Sequence, residues 1–289
     1  MTTHPALKPG SVAVVTGAAS GIGLAAARRF AALGMRVCLV DINEEKLRES
    51  VIAVALAAPN GAVDVMAMGA NVSDAAAMRT LAGQVANSFG QVSVVMANAG
   101  MEPASSALDA SPQWQRIIDT NLWGVINTVQ AFARTMVDSG APGAVIVTGS
   151  KQGITCPPGN AAYNVSKAGV KVFTEQVAHA LREETGERIT AHLLIPGFTF
   201  TGFTLANYDE KPDAAWMPDQ VIDMLMEAMD AGEFYILCPD NDVTRAMDEK
   251  RIQWAADDII KNRPALSRWH KDYAEPFAAW MKAKPSRSR

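Results

Sequence analysis

An α/β fold built on a doubly wound parallel sheet is what this sequence predicts, and three observations predict it. Short β-branched runs alternate along the chain with longer, alanine-rich segments of helical period. The runs show little in/out alternation, as strands covered on both faces should. A glycine-rich turn, Thr16-Gly17-Ala18-Ala19-Ser20-Gly21-Ile22-Gly23, stands between the first run and the first helical segment. With 289 residues, 49% hydrophobic and 19% charged, the chain has ample apolar material for one large core.

Taken in order, strands are expected at 12–15, 36–40, 63–68, 92–97, 144–148 and 189–195, with helices near 21–33, 44–57, 74–88, 112–138 and 161–184. Valine and isoleucine are stiff at χ1 and suit strands, whereas alanine gives up little on entering a helix. Each strand–helix–strand unit implies a right-handed crossover, so helices cover both faces of the sheet. Ligands of such sheets bind beyond the carboxyl ends of the strands, where Gly17, Asp41, Asn71, Asn98, Ser150 and Pro196 all fall.

Past Pro196 the pattern loosens. Residues 198–217 scatter Phe198, Phe200, Phe203, Tyr208 and Trp216 among Gly, Asn, Asp and Pro. A long aromatic loop of this kind is expected to act as a lid, the alternative being that the rings only pack the loop down. A helix near 218–231 and a strand near 233–238 complete a core of about residues 10–240. Residues 241–289 form a helical C-terminal extension whose Trp254, Trp269, Tyr273, Phe277 and Trp280 are expected to cover the core or a subunit contact. No repeat or linker marks a second domain, so residues 1–289 are expected to form a single domain.

Charge and cysteine usage exclude several classes. The net charge of −4 argues against a nucleic-acid binder. From Arg245 onward eleven Lys/Arg face six Asp/Glu, and the basic end, Lys282 to Arg289, reads as a solvated terminus. Cys38, Cys156 and Cys238 are far apart and lack histidine at ligand spacing, so free thiols are expected, with neither a disulfide framework nor a metal site. No run approaches a membrane span and the start resembles no signal peptide, so a cytoplasmic address is expected.

The glycine turn sets the cofactor expectation. A helix N-terminus carries unpaired N–H groups and partial positive charge, and glycines let a pyrophosphate approach it closely. Gly17, Gly21 and Gly23, with Ser20 and Ile22 between them, lie in that strand–turn–helix context, although the spacing alone is a weak signal. Asp41 ends the second strand, where a carboxylate can accept hydrogen bonds from ribose hydroxyls and would repel a 2′-phosphate. No Arg or Lys occupies Ala18, Ala19 or Ile42, so NAD is favoured over NADP. The bland alternative makes Asp41 a plain turn residue. Asn71 and Val72, and Asn98-Ala99-Gly100, are placed where adenine and ribose would lie, or are ordinary turns.

The chemical end is Tyr163 and Lys167, one helical turn apart, with Ser150 upstream. Taking hydride from a secondary alcohol requires a base for the hydroxyl proton, and a phenol of pKa about 10 is a poor one. The Lys167 ammonium, on the same helix face, is expected to lower it together with a nicotinamide cation. Ser150, after the fifth strand, can donate to the substrate oxygen as charge develops there.

Thr16-Gly-x-x-x-Gly-x-Gly23, Asn98-Ala-Gly100, Asn121, Ser150, Tyr163-x-x-x-Lys167 and Pro196-Gly197-x-x-x-Thr201 together resemble the short, single-domain branch of the short-chain dehydrogenase/reductase family over about residues 10–240. The resemblance implies a Rossmann-type sheet, with Tyr163 as acid/base, Ser150 as stabiliser of the carbonyl oxygen, and Lys167 as ribose ligand and pKa depressor. It further implies that Asn121 holds a water for proton relay, that Pro196, Gly197 and Thr201 orient the nicotinamide, with Thr199 among the expected cofactor contacts, and that the protein is a homotetramer or homodimer built on the helices near 112–138 and 161–184. Three departures stand out. Ala97 precedes Asn98 where asparagine is frequent, Thr199 replaces a branched aliphatic, and Lys151 follows Ser150 where a small or apolar residue is usual. Lys151 is expected to face solvent, the alternative being a cation at the substrate mouth.

The leading expectation is therefore an NAD-dependent oxidoreductase acting on CH–OH groups of a small-molecule alcohol or ketone. The aromatic loop and Cys156-Pro157-Pro158 suggest a bulky, mainly apolar substrate: aryl, alicyclic or steroid-like. An enoyl reductase is discounted, since such relatives space tyrosine and lysine more widely. A catalytically silent NAD-binding sensor or structural protein is the alternative from another class.

Overall fold

The computed structural model describes residues 4–202, 208 and 210–283. Seven strands, β1 (Val12–Thr16), β2 (Arg36–Asp41), β3 (Val65–Gly69), β4 (Val92–Ala97), β5 (Gly143–Thr148), β6 (Ile189–Ile195) and β7 (Tyr235–Leu237), alternate with helices. These helices are α1 (Gly21–Ala32), α2 (Glu44–Ala57), α3 (Ala75–Phe89), α4 (Pro112–Ile118), α5 (Gly124–Asp138), α6 (Gln152–Thr155), α7 (Ala161–Thr185) and α8 (Pro218–Asp230). Two more, α9 (Arg245–Ile260) and α10 (Ala274–Lys282), make up the C-terminal extension. The strands form one parallel sheet in the order β3-β2-β1-β4-β5-β6-β7. The doubly wound α/β architecture expected from the sequence is what the chain adopts.

Every residue of β1 and β5 is buried, which explains why those runs lack alternation. One apolar layer joins Phe30 of α1, Leu39 of β2 and Leu225 of α8, and the other joins Phe132 of α5, Val145 of β5 and Val170 of α7. Each fully buried Val, Leu or Phe contributes about 1.5–3 kcal/mol, so the two layers dominate stability. Helix starts are locally encoded: Asn43 caps α2 by accepting from Lys46 N at 3.0 Å, and Asp74 caps α3 by accepting from Ala76 N at 2.8 Å.

Most boundaries fall within two residues of expectation, and two differences have a local cause. Strand β3 begins at Val65 because Asn60-Gly61, with Gly61 at φ +68°, opens a 3₁₀ turn that leaves Val63 exposed. The helix expected at 112–138 is interrupted by a π turn at Asp119–Trp123. In the loop after β6, Phe198 and Tyr208 bring their rings to 6.0 Å and Phe200 N donates to Trp216 O at 2.8 Å, while Phe203 lies outside the described residues. The basic end beyond residue 283 lies outside them too. Among the described residues no helix is long and apolar enough to cross a membrane.

Candidate active site

The sheet order reverses between β1 and β4, and the loops leaving these two strands open a crevice there. Gly17 sits so close to Ala99 that a Cβ on it would stand 2.8 Å from Ala99 Cα, and its φ of +65° also calls for glycine. Asn98 fastens this edge. Its Nδ2 donates to Thr16 O at 3.1 Å, its backbone N donates to Thr16 Oγ1 at 3.0 Å, and its Oδ1 accepts from Thr148 Oγ1 at 3.0 Å. Three strand ends are thereby held by one amide side chain.

A cleft of about 450 Å³ runs along this edge. Of the residues singled out from the sequence it is lined by Gly17, Ser20, Gly21, Ile22, Asp41, Asn98, Ala99, Gly100, Ser150, Tyr163, Lys167, Pro196, Gly197, Thr199 and Thr201. Gly23 lies beneath it, where a Cβ would stand 2.2 Å from Gly17 O. Asn71 and Val72 are not among the lining residues. The Asn71 Oδ1 accepts from Ser73 N at 3.1 Å, turn chemistry, and Val72 is buried against Gly124.

These features fit a nicotinamide dinucleotide. The N-cap Ser20 makes no capping hydrogen bond and the first turn of α1 has no acidic side chain, so the helix N-terminus presents N–H groups to an anion. Asp41 is fixed at the cleft edge, its Oδ2 accepting from Ala19 N at 3.0 Å and its Oδ1 from Asn43 N at 2.9 Å.

Tyr163 and Lys167 follow from the first turns of α7 and are nearly buried. Gly153 of α6 lets the Ser150 turn lie directly on this helix, since a Cβ there would come within 2.5 Å of Lys167 O. Lys167 Nζ donates to Thr148 O at 2.8 Å and lies 5.8 Å from the Tyr163 ring centre. Burial pushes this ammonium down to about 8, with the Glu102 carboxylate pulling it back up. Burial first, and then Glu102, push the Tyr163 phenol well above its ordinary value, while a hydrogen bond with Ser150 pulls it down. The lowering was expected from Lys167 together with a nicotinamide cation, and the protein's own groups by themselves push the phenol the other way. In so dry a position the cost of desolvating a phenolate outweighs the help it receives.

Asn121 sits in the π turn and is fully buried. Its Oδ1 accepts from Met101 N at 2.8 Å, and its Nδ2 donates to Met101 O at 2.9 Å and Ser166 Oγ at 3.3 Å. Both amide hydrogens are spent inside the protein.

The solvent-facing expectation for Lys151 is overturned. Its side chain is 18% exposed, with Nζ 2.5 Å from Asp248 Oδ2 and 3.5 Å from Asp240 Oδ2. Asp248, on α9, also lies 3.6 Å from Arg251. Asp240 Oδ2 in turn accepts from Phe198 N at 3.1 Å, and a Cβ on Gly197 would meet that oxygen at 2.8 Å. A charge cluster of two cations and two anions thus ties the extension to the Ser150 turn and to the Pro196-Gly197 loop. The extension's aromatics pack on one another, Trp254 lying 5.2 Å from Phe277 and 6.2 Å from Trp280.

Sequence reasoning missed Glu102, Gln152, Asp240 and Asp248. Glu102 and Gln152 line the cleft, and Gln152 Nε2 donates to Glu102 Oε1 at 3.1 Å. A signal was available for Glu102, which lies two residues past Asn98-Ala99-Gly100 at the same strand edge.

Comparison with known proteins gives consistent likenesses. Residues 11–212 match the model of the short chain dehydrogenase family. The chain is 32% identical over 251 residues, 84% of its length and 90% of the relative's, to 1-deoxy-11-beta-hydroxypentalenate dehydrogenase of Streptomyces avermitilis. It is 35% identical over 196 residues, 67% of its length and 75% of the relative's, to sulfoacetaldehyde reductase 2 of Chromohalobacter salexigens. A short chain dehydrogenase/reductase from Burkholderia phymatum in complex with NAD superposes with a TM-score of 0.77 at 28% identity, covering 88% of this chain and 96% of that one.

Proposed function

Since the chain belongs to the short-chain dehydrogenase/reductase family of oxidoreductases acting on alcohols and ketones, we propose that it moves hydride between NAD and a secondary alcohol or its ketone, with Tyr163 as the acid/base. The observation that carries this reading is the meeting of Tyr163, Ser150 and Lys167 in one cleft at the sheet's reversal point.

A nicotinamide held in this cleft would supply the acceptor or donor of the hydride and, in its oxidised form, a positive charge that favours the phenolate. In oxidation Tyr163 takes the hydroxyl proton as the C–H bond breaks and the C=O bond forms; in reduction it returns that proton. Ser150 donates to the oxygen on which charge develops, and Lys167, held by Thr148 O, orients the ribose and favours the phenolate. Asn121 keeps the loop after β4 in place, so a relayed water would have to bind its carbonyl oxygens. Pro196, Gly197, Thr199 and Thr201 form the wall against which a nicotinamide would lie.

Asp41, immobilised by two backbone N–H groups, supports NAD over NADP, because a 2′-phosphate would meet a fixed negative charge. A mainly apolar, bulky substrate is supported by Phe198 in the cleft wall and by its contact with Tyr208. Self-association as a dimer or tetramer is supported by exposed Trp123, Val165 and Val172 on the π turn and α7. A cytoplasmic address belongs to the same proposal and rests on the sequence.

The test is NADH formation from a panel of aryl, alicyclic and steroid secondary alcohols, each repeated with NADP. Turnover with NAD preferred supports the reading. Tight NADH binding without turnover of any alcohol would favour the sensor alternative.

A further inference from the structure

The hydride-transfer reading leaves Glu102 without a task. Asn121 clamps both backbone groups of Met101, which turns the next side chain toward the cleft rather than leaving it on a loose loop. Glu102 Oε1 accepts from Gln152 Nε2, and Gln152 in turn sits astride Ser150, its backbone N donating to Ser150 Oγ at 3.1 Å. The pair therefore bridges the cleft wall from the loop after β4 to the turn after β5, on the side where Ser150 and Tyr163 meet.

The carboxylate is half-buried, and its acidity is weakened by that burial, while the Gln152 and Lys167 partners only partly offset it. Holding a carboxylate there costs desolvation that a neutral side chain would avoid. Among the described residues Oε2 has no protein partner, and Gln152 Nε2 carries a second hydrogen that Glu102 Oε1 does not use. An acceptor beside a donor is what one hydroxyl, both donor and acceptor, can satisfy at once. Nearby Lys151 offers no competing cation, being paired with Asp248 and Asp240.

We infer that Glu102 and Gln152 form a subsite that binds a second hydroxyl of the substrate next to its reacting carbon. The site thereby selects a neutral diol or hydroxyketone on an apolar frame, and disfavours both the plain alcohol and an anionic analogue. This deepens the proposed function and rests on Tyr163 being the acid/base.

The experiment compares kcat/KM with NAD for cyclohexanol, trans-cyclohexane-1,2-diol and 2-hydroxycyclohexane-1-carboxylate, in the wild type, Glu102→Ala and Glu102→Gln. Because Glu102 also acts on Tyr163, absolute rates move in both variants, and the readout is the ratio between substrates. The wild type should prefer the diol to cyclohexanol by about tenfold or more, the strength of a hydrogen bond to a charged group. Glu102→Ala should bring that ratio near one. Glu102→Gln, which keeps an acceptor, should retain part of it and raise the carboxylate's rate relative to the diol's. A diol preference unchanged in Glu102→Ala, or a common factor lost on every substrate, would overturn the inference. So would turnover of cyclohexanol but not of the diol, with the hydride-transfer reading left standing. Turnover of none of the three, with NADH bound, contradicts both readings.

Discussion

Lys151, the residue after Ser150, and Asp248, in the first turn of α9, form an ion pair at 2.5 Å in a setting where the carboxylate side chain is 5% exposed. Asp240 joins them and holds Phe198 N, so the cleft's turn, its loop and the C-terminal extension are one electrostatic unit.

Breaking that unit by removing one partner should be costly. Lys151→Ala leaves Asp240 and Asp248 without their shared ammonium, with Arg251 3.6 Å from Asp248 and Arg268 also within its field, and about 3–5 kcal/mol of stability should be lost. Lys151→Met with Asp248→Leu removes the closest pair together and should recover part of it, Asp240 and Arg251 each having lost a partner. Thermal unfolding of the single and double variants measures this, and an unchanged Lys151→Ala midpoint would contradict the account.

Gly23→Ala should abolish dinucleotide binding or folding, because the added Cβ meets a backbone oxygen, Gly17 O, which cannot rotate away. Gly83→Ala makes the control, since a Cβ there meets nothing within 4 Å and alanine suits a helix interior. Circular dichroism and NADH titration separate loss of fold from loss of binding.

Acid should destabilise the protein through His192. This ring is buried, donates from Nδ1 to Glu233 O at 2.7 Å and accepts at Nε2 from Thr190 Oγ1 at 2.8 Å, an arrangement that suits the neutral form. Burial lowers its pKa from 6.5 to about 4, opposed by the Glu233 carbonyl. Between those values the unfolded chain binds a proton that the folded chain refuses, so stability falls as pH drops from 6.5 toward 4. The loss attributable to this group is about 3 kcal/mol. Urea midpoints at pH 7, 5.5 and 4 test it, and His192→Gln should flatten the slope.

Asp41→Ala should relax cofactor preference. Removing the carboxylate removes the repulsion of a 2′-phosphate, and the NAD:NADP ratio of kcat/KM should fall by about tenfold or more, or about 1.4 kcal/mol. An unchanged ratio would mean that Asp41 serves only the bonds to Ala19 and Asn43.

The strand–helix alternation was legible because buried parallel strands and alanine-rich helices leave periodic signatures within a few residues. Gly17, Asp41, Asn98, Ser150 and Pro196 were legible for a related reason: each ends or follows a strand, and the topology carries all strand ends to one edge, whereas Tyr163 and Lys167 were read from their helical spacing. The π turn at Asp119–Trp123 was not, since one inserted residue in a helix leaves no compositional mark. Lys151 was misread because its partners, Asp240 and Asp248, come from the far end of the chain, and spacing says nothing about such pairs. The upward push of burial and Glu102 on Tyr163 in the absence of cofactor was not legible, because desolvation depends on the whole fold and leaves no local pattern.

The central claim is that Tyr163 exchanges the substrate's hydroxyl proton. Its most direct test is alcohol-dependent NADH formation by Tyr163→Phe beside a fluorescence titration of NADH. The account predicts turnover reduced by about 10²–10⁴-fold with NADH still bound; turnover undiminished in Tyr163→Phe would contradict it.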